Sequence, residues 1–268
     1  MRKLVRVGSE DDDVFDRSRR IEWLDMDAIA KARILMVGAG ALGNEVAKDL
    51  VLSGFRKITV VDMDHVVASN LNRCLFFDKE DADEKRKKAE VVARGIKGLS
   101  RESSPKAIVG KVQDLPIRAF KDHAIVLGCL DNVDARIHVN SHSYSSGRIY
   151  IDGGMEAMVG KVMVSNPPSG ACLQCGMNRS HAKIANMRFS CTGKDVVFHE
   201  PKLAAEITTT SIISAVMVRE ALKAVSGHHE ALLNNAFYYD GRRNVSEELE
   251  VALDPSCPVH EVKAKGYR

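Results

Sequence analysis

An α/β fold built on a mostly parallel sheet, with helices on both faces, follows from three observations. Short apolar runs alternate with amphipathic stretches over residues 34–152, the pattern of strands joined by crossover helices. Residues 33–64 read RILMVGAGALGNEVAKDLVLSGFRKITVVDMD: an apolar strand, a Gly-Ala-Gly-Ala-Leu-Gly turn, an amphipathic helix and a second apolar strand. An acid, Asp62, stands nineteen positions after Gly43, where a ribose hydroxyl needs an acceptor.

Each glycine of the turn has its own physical reason. Gly38 permits the tight turn, Gly40 lets the backbone approach phosphate, and Gly43 lets the helix pack closely on the strand. A lone GxGxxG is weak evidence, but strand before, helix after and acid in place together read as a nucleotide-binding half-unit.

The elements follow in chain order. Residues 1–18 are charged and largely patternless, which predicts a mobile arm leading into a helix over 21–31. Apolar runs predict strands at 34–37, 58–62, 107–112, 124–128 and 149–152, with helices at 42–52 and 88–99. The charged run DADEKRKK, residues 81–88, reads as a solvated helix start. A strand is expected at 159–164, broken by Pro167-Pro168, and a Met-, Ser- and Lys-rich segment fills 176–206. A helix over 208–225 and late strands at 236–239 and 249–253 complete the chain.

The totals bound the class. At 268 residues and 45% hydrophobic composition, one large α/β domain with attachments can bury a full core. A net charge of +3 gives no reason to expect nucleic acid or membrane as partner. The first residues lack the apolar stretch of a signal peptide, and no run of about twenty apolar residues occurs, so a soluble, cytoplasmic protein is expected. Six cysteines are too few for a disulfide scaffold and read as ligands, nucleophiles or core.

A glycine-rich turn cannot by itself separate a nicotinamide-dependent oxidoreductase from an ATP user, since both place phosphates on a helix N-terminus and a ribose on an acid. Later residues discriminate. Ser69-Asn70-Leu71-Asn72-Arg73 follows the second strand, Lys88 opens the next apolar helix, and Asp131-Asn132-Val133-Asp134-Ala135-Arg136 follows the strand ending at Gly128. Such segments emerge at the carboxyl ends of parallel strands, where ligands bind. Hydride transfer has little use for two cations, an amide and a carboxylate there. Attack of a carboxylate on an α-phosphate uses all four, with the acid holding magnesium on the departing pyrophosphate.

In order and spacing, GAGALG, the acids Asp62 and Asp64, SNLNR, Lys88-Ala89 and DNxxxR resemble the Rossmann-like adenylation domain shared by ubiquitin-activating enzymes and the molybdopterin and thiamine sulfur-carrier adenylyltransferases. The likeness covers residues 17–260. It implies that Asp62 binds ribose, that Asn70, Arg73 and Lys88 contact the triphosphate beside Asp64 and Asn132, and that Asp131 binds magnesium. Lys85 and Lys87 lie close enough for a small register shift to exchange them with Lys88. Arg19 resembles the arginine that these enzymes send into a partner subunit's site, which implies a homodimer. The domain is then residues 19–268, behind an arm of residues 1–18. The implied reactants are ATP, magnesium and a β-grasp protein, ubiquitin-like or sulfur-carrying, that ends in Gly-Gly; a conjugating enzyme would follow. Where the family usually continues SNLNR with Gln, Cys74 stands here, and burial as a small hydrophobe is its expected role.

Cys172-Leu-Gln-Cys175 and Cys257-Pro-Val-His260 have the two-residue spacing that lets both side chains of a pair reach one tetrahedral ion. Together they offer a closed structural zinc set that would tie the C-terminal segment to the middle of the chain. The resembling family often carries zinc here with four cysteines, so His260 is a substitution within the ligand repertoire. A redox CxxC is the competing reading, although it usually opens a helix in a thioredoxin-like unit. Cys129, ending an apolar strand, is assigned to the core. Cys191 sits in a polar segment with Lys183, Arg188 and Lys194 close in sequence, cations that raise a thiol's thiolate fraction. Its position resembles the thioester-forming cysteine of activating enzymes, on a crossover loop spanning about 176–207; an incidental loop cysteine or a sulfur-handling one are the alternatives.

Overall fold

The computed structural model describes residues 13–168, 170–177 and 204–261. Its strands are β1 (Arg33–Val37), β2 (Lys57–Asp62), β3 (Lys106–Val109), β4 (Ile125–Gly128), β5 (Ile149–Glu156), β6 (Val159–Ser165), β7 (Ala236–Asp240) and β8 (Val245–Leu249). They form one sheet in the order β3-β2-β1-β4-β5-β6-β7-β8. The first five strands of that order are parallel and the rest antiparallel. β1 and β4 are central and buried apart from Arg33, which explains why RILMV and IVLG carry no polar alternation. Ile34 lies between Ile58 and Ile125.

Helices cover both faces. Against one lie α2 (Met26–Lys31), α3 (Ala41–Leu52), α5 (Lys88–Leu99) and α8 (Ile207–Val225), packing Ile29, Leu50, Ile96 and Met217 on Ile34, Ile58 and Ile151. Against the other lie α6 (Ile117–Lys121) and α7 (Val133–Ser145), with Phe120 and Val139 on Leu35 and Val126. The short helices α1 (Asp16–Arg19), α4 (Lys79–Asp83) and α9 (Pro258–Glu261) complete the set among the described residues. The chain moves outward from β1 through β2 to β3 and then returns to β4 on the other side. That reversal opens a crevice at the carboxyl ends of β1 and β4.

Four local expectations are corrected. The helix expected from residue 21 begins at Met26, because Asp25 caps it by accepting from the Asp27 and Ala28 amides at 3.1 and 2.9 Å. The last residues of the expected arm carry α1, and Phe15 packs on the core. The strand expected at 249–253 lies instead at Val245–Leu249. β7 starts at Ala236, opposite Leu249, so no ladder partner remains beyond it, and the Val251 amide turns to the Asn235 side chain at 3.1 Å.

Residues 81–88 are not a solvated helix start. Asp81 is fully buried, and Arg94 closes on both its oxygens at 2.7 and 2.8 Å while Arg86 donates at 3.0 Å. The run is the end of α4 followed by a turn, wrapped together around one carboxylate, with Lys85 in the left-handed region at φ 50°, and the next helix begins only at Lys88.

Candidate functional site

The glycine turn is built around close approach. Gly38 takes φ 98°, and a Cβ there would lie 2.3 Å from the Cys129 carbonyl oxygen. A Cβ on Gly43 would lie 2.1 Å from the Gly38 oxygen, so α3 rests directly on the turn. A Cβ on Gly40 would meet nothing within 4 Å. Gly40 is also the N-cap of α3 and offers no capping side chain, so the first amides of a twelve-residue helix carry no side-chain cap, the arrangement that receives an anion.

Asp62 closes the other side of the turn. Its oxygens accept from the Ala39 amide at 2.7 Å and the Asp64 amide at 2.8 Å. Burial pushes its carboxyl pKa up, and those two amides and the Lys88 charge pull against the rise.

Asn44, which the sequence reading passed over, organises the turn. It is fully buried, donates to the Ala39 and Gly40 carbonyls at 3.0 and 2.9 Å, and accepts from the Phe76 amide at 2.9 Å. The signal was a lone amide side chain beside Gly43, among the buried positions of α3. It ties the turn to the segment that follows Arg73.

That segment lines the crevice beyond β2. Asn70 is buried and accepts from the Val67 amide at 3.3 Å. Arg73 donates to the Asn72 side chain at 3.0 Å and to the Ser69 carbonyl. Among the three neighbouring lysines, Lys88 meets the Asp64 carboxylate at 3.0 Å, Lys87 reaches the Met63 carbonyl at 3.3 Å, and Lys85 is exposed. Cys74 is buried, and burial pushes its thiol up to about 11 against the pull of Arg73 and Lys88. That is a packed hydrophobe rather than a nucleophile.

Across the crevice Asp131 is exposed, and Asn132 caps α7 by accepting from the Ala135 amide at 3.1 Å. Arg136, one turn further, grips Asp152 of β5, Nε to Oδ1 at 3.0 Å with Nη2 on Oδ2, and the Tyr150 hydroxyl donates to the same carboxylate at 2.6 Å. The arginine of DNxxxR therefore pins the helix that Asp131 immediately precedes. Cys129 is buried, as expected, and burial raises its thiol far out of reach of ionisation. Arg19 donates to Asp13 at 2.6 Å on the surface. Cys191, Lys183, Arg188 and Lys194 lie outside the described residues.

At the far end of α7 the two sequence pairs meet. In each, a turn hydrogen bond between first and last residue, Cys175 N to Cys172 O and His260 N to Cys257 O, both 3.0 Å, puts the two side chains on one side. Cys172 Sγ lies 3.8 Å from Cys175 Sγ and 3.7 Å from Cys257 Sγ, and Cys175 Sγ lies 3.2 Å from His260 Nε2. All four ligand atoms fall within 4.8 Å of one another. Covalent sulfurs would stand about 2.05 Å apart, whereas a tetrahedron with metal–sulfur bonds of about 2.3 Å has edges of about 3.8 Å. The donor set therefore fits a metal ion. Burial pushes the Cys257 thiol up to about 12, a cost that a cation among the four would offset.

Fold and crevice together define a nucleotide-binding α/β domain that carries a separate three-thiol, one-imidazole cluster. Residues 15–259 match the ThiF family, and the chain belongs to it. The NEDD8-activating enzyme E1 catalytic subunit of Arabidopsis thaliana is 34% identical over 298 aligned positions, covering 85% of this chain and 65% of the relative. Its counterpart in Schizosaccharomyces pombe is 35% identical over 159, covering 58% and 35%. The SUMO-activating enzyme subunit 2 of Dictyostelium discoideum is 33% identical over 151, covering 56% and 22%. The chain thus spans less than two thirds of the length of each of these relatives. Escherichia coli MccB, solved with succinimide, shares the fold at 20% identity and a TM-score of 0.74, over 93% of this chain and 74% of that one.

Proposed function

We propose that this chain activates the C-terminal glycine of a ubiquitin-like protein with ATP. The observation that carries the reading is the crevice itself: a helix N-terminus left open at Gly40, the Asp62 acceptor beside it, and Arg73, Lys88 and Asp131 around the rim. Asp62 takes the ribose, while Asn70, Arg73 and Lys88, with Asp64 and Asn132 beside them, hold the triphosphate. Magnesium on Asp131 would neutralise charge on the departing pyrophosphate. A carboxylate oxygen of the glycine attacks the α-phosphorus, the bond to the β-phosphate oxygen breaks, and pyrophosphate leaves with its electrons. The Cys191 thiolate then attacks the acyl carbon, displaces AMP and holds the carrier as a thioester for a conjugating enzyme.

The names of the relatives support a ubiquitin-like carrier, and membership of the ThiF family favours adenylation over nicotinamide chemistry. A sulfur carrier would share the first step and diverge at Cys191. Residues 1–18 are the arm and 19–268 the adenylation domain, which works as a homodimer with Arg19 entering the neighbouring site. Zinc on Cys172, Cys175, Cys257 and His260 is structural. No described helix is long and apolar enough to cross a membrane, and reduced thiols suit the cytoplasm.

Labelled pyrophosphate should exchange into ATP only with the carrier present. Arg73→Ala should slow exchange about a hundredfold, about 3 kcal/mol in the barrier, and Asp131→Ala should abolish it. Carrier-dependent exchange at the wild-type rate in Asp131→Ala would refute the assignment.

A further inference from the structure

The imidazole of the cluster is not held by the cluster alone. His260 Nδ1 lies 2.9 Å from the Tyr144 hydroxyl, and that hydroxyl lies 3.0 Å from the Pro168 carbonyl oxygen. A carbonyl can only accept, so the hydroxyl hydrogen goes to Pro168. Its oxygen then accepts from Nδ1–H, which fixes the proton on Nδ1 and leaves the Nε2 lone pair free. Nε2 is the atom that faces Cys175 at 3.2 Å. The rings also meet edge to face, centroids 4.8 Å apart, and Tyr144 is 3% exposed, so the geometry is set by packing and not by solvent.

α7 grips the other half of the cluster as well. The Leu173 amide donates to the Ser165 hydroxyl at 3.0 Å, which donates to Asn140 at 2.8 Å. Tyr144 and Asn140 are one turn apart on the same helix, so each pair of ligands is tied to α7 by a polar contact, buried for Asn140 and part-buried for Tyr144.

We propose that Tyr144 is a positioning residue for the metal: it holds His260 as an Nε2 ligand and so makes this a three-thiolate, one-imidazole centre in working order. The inference rests on the reading that the four side chains hold zinc. Partners of this kind orient the ligand and raise its basicity, and their loss typically weakens metal binding roughly 10–100-fold.

The test is a cycle of four full-length proteins: wild type, Tyr144→Phe, His260→Cys and the double variant. Zinc affinity is measured by competition with a chromogenic chelator. Tyr144→Phe should weaken binding by that factor when His260 is present. In the His260→Cys background, where the ligand has no second nitrogen to orient, the same change should move affinity by less than about threefold. Cobalt(II) in place of zinc supplies an independent signature, since loss of the tether should shift and broaden the ligand-field bands of Tyr144→Phe. Equal losses in both backgrounds would make Tyr144 a packing residue and overturn the proposal, as would unchanged affinity and an unchanged cobalt spectrum. Wild-type protein that binds neither ion would remove the metal reading and this inference with it, while carrier-dependent pyrophosphate exchange would stand untouched.

Discussion

Arg136 and Asp152 fasten the first turn of α7 to the middle of β5, with Nε donating to Oδ1 at 3.0 Å and a second guanidinium nitrogen on Oδ2. The pair sits one turn inside the Asp131–Asn132 corner, so it fixes where that corner stands relative to the glycine turn across the crevice. The Asp152 side chain is 2% exposed, and the Tyr150 hydroxyl shares it.

Removing one partner should therefore strand a buried charge. Arg136→Ala should cost about 3–5 kcal/mol, lowering the melting temperature on the order of 10 °C for a chain of this size. Adding Asp152→Asn should return part of the loss, because the stranded carboxylate is gone while the Tyr150 hydroxyl keeps an acceptor. Calorimetry on the single and double variants decides it: additive losses would show that the two side chains stabilise the fold independently.

A pH dependence follows from the stacked imidazoles of α7. His138 and His142 lie with centroids 3.9 Å apart, and His138 Nε2 is buried with no hydrogen-bond partner among the described residues. Phe120 faces both rings, and neither imidazole has an ion-pair partner among the described residues. Burial, then the neighbouring His142, holds the His138 pKa below its ordinary value of 6.5. A lowered folded pKa means that the unfolded chain binds more protons below about pH 6.5. The contribution is complete above that pH and is lost as pH falls through the folded pKa. Urea titrations at pH 7.5 and 5.5 should show a smaller drop in stability for His138→Gln than for wild type. An equal drop would place the acid sensitivity elsewhere.

The parts of this molecule that repeat locally were legible in the sequence. Apolar runs gave the parallel strands, the glycine spacing gave the turn, and two x2 spacings gave the metal-type pairs. What escaped was pairing at a distance. Nothing in DADEKRKK marks Asp81 as the carboxylate of that run that is buried, since the Arg94 that neutralises it lies on the following helix. Tyr144 and His260 are 116 residues apart, and no period connects them. β8, reading VSEEL, is an exposed edge strand with one ladder partner among the described residues, so it lacks the apolar alternation that would have fixed its bounds.

Assembly can be tested through Arg19. In the described chain it pairs with Asp13 on the surface, both side chains about half exposed, and a contact of that kind contributes little and exchanges readily. The proposed dimer would take Arg19 from Asp13 into the neighbouring crevice. Arg19→Ala and Asp131→Ala, each inactive alone, should then regain part of the exchange activity when mixed, because a mixed dimer holds one intact site. Mixed dimers that form and stay inactive would leave Arg19 serving its own chain.

The last prediction concerns which thiol takes the acyl group. Five cysteines are placed, and none is suited to it. Cys129 and Cys74 are buried with raised thiol pKa values, the latter at about 11, and Cys172, Cys175 and Cys257 belong to the cluster. A nucleophile needs thiolate at neutral pH, and of the six cysteines Cys191 alone stands among several basic residues in sequence. Incubation with ATP and carrier should give a species heavier by one carrier mass on a non-reducing gel, released by added thiol and absent in Cys191→Ala. That variant should still exchange pyrophosphate, because adenylation precedes the thiol step. If Cys191→Ala still forms the adduct, the acceptor is another cysteine, and the burial of Cys74 means that the chain would have to open to use it. If wild type forms none while exchange proceeds, the adenylate passes directly to a sulfur donor, and the carrier is of the sulfur-transfer kind.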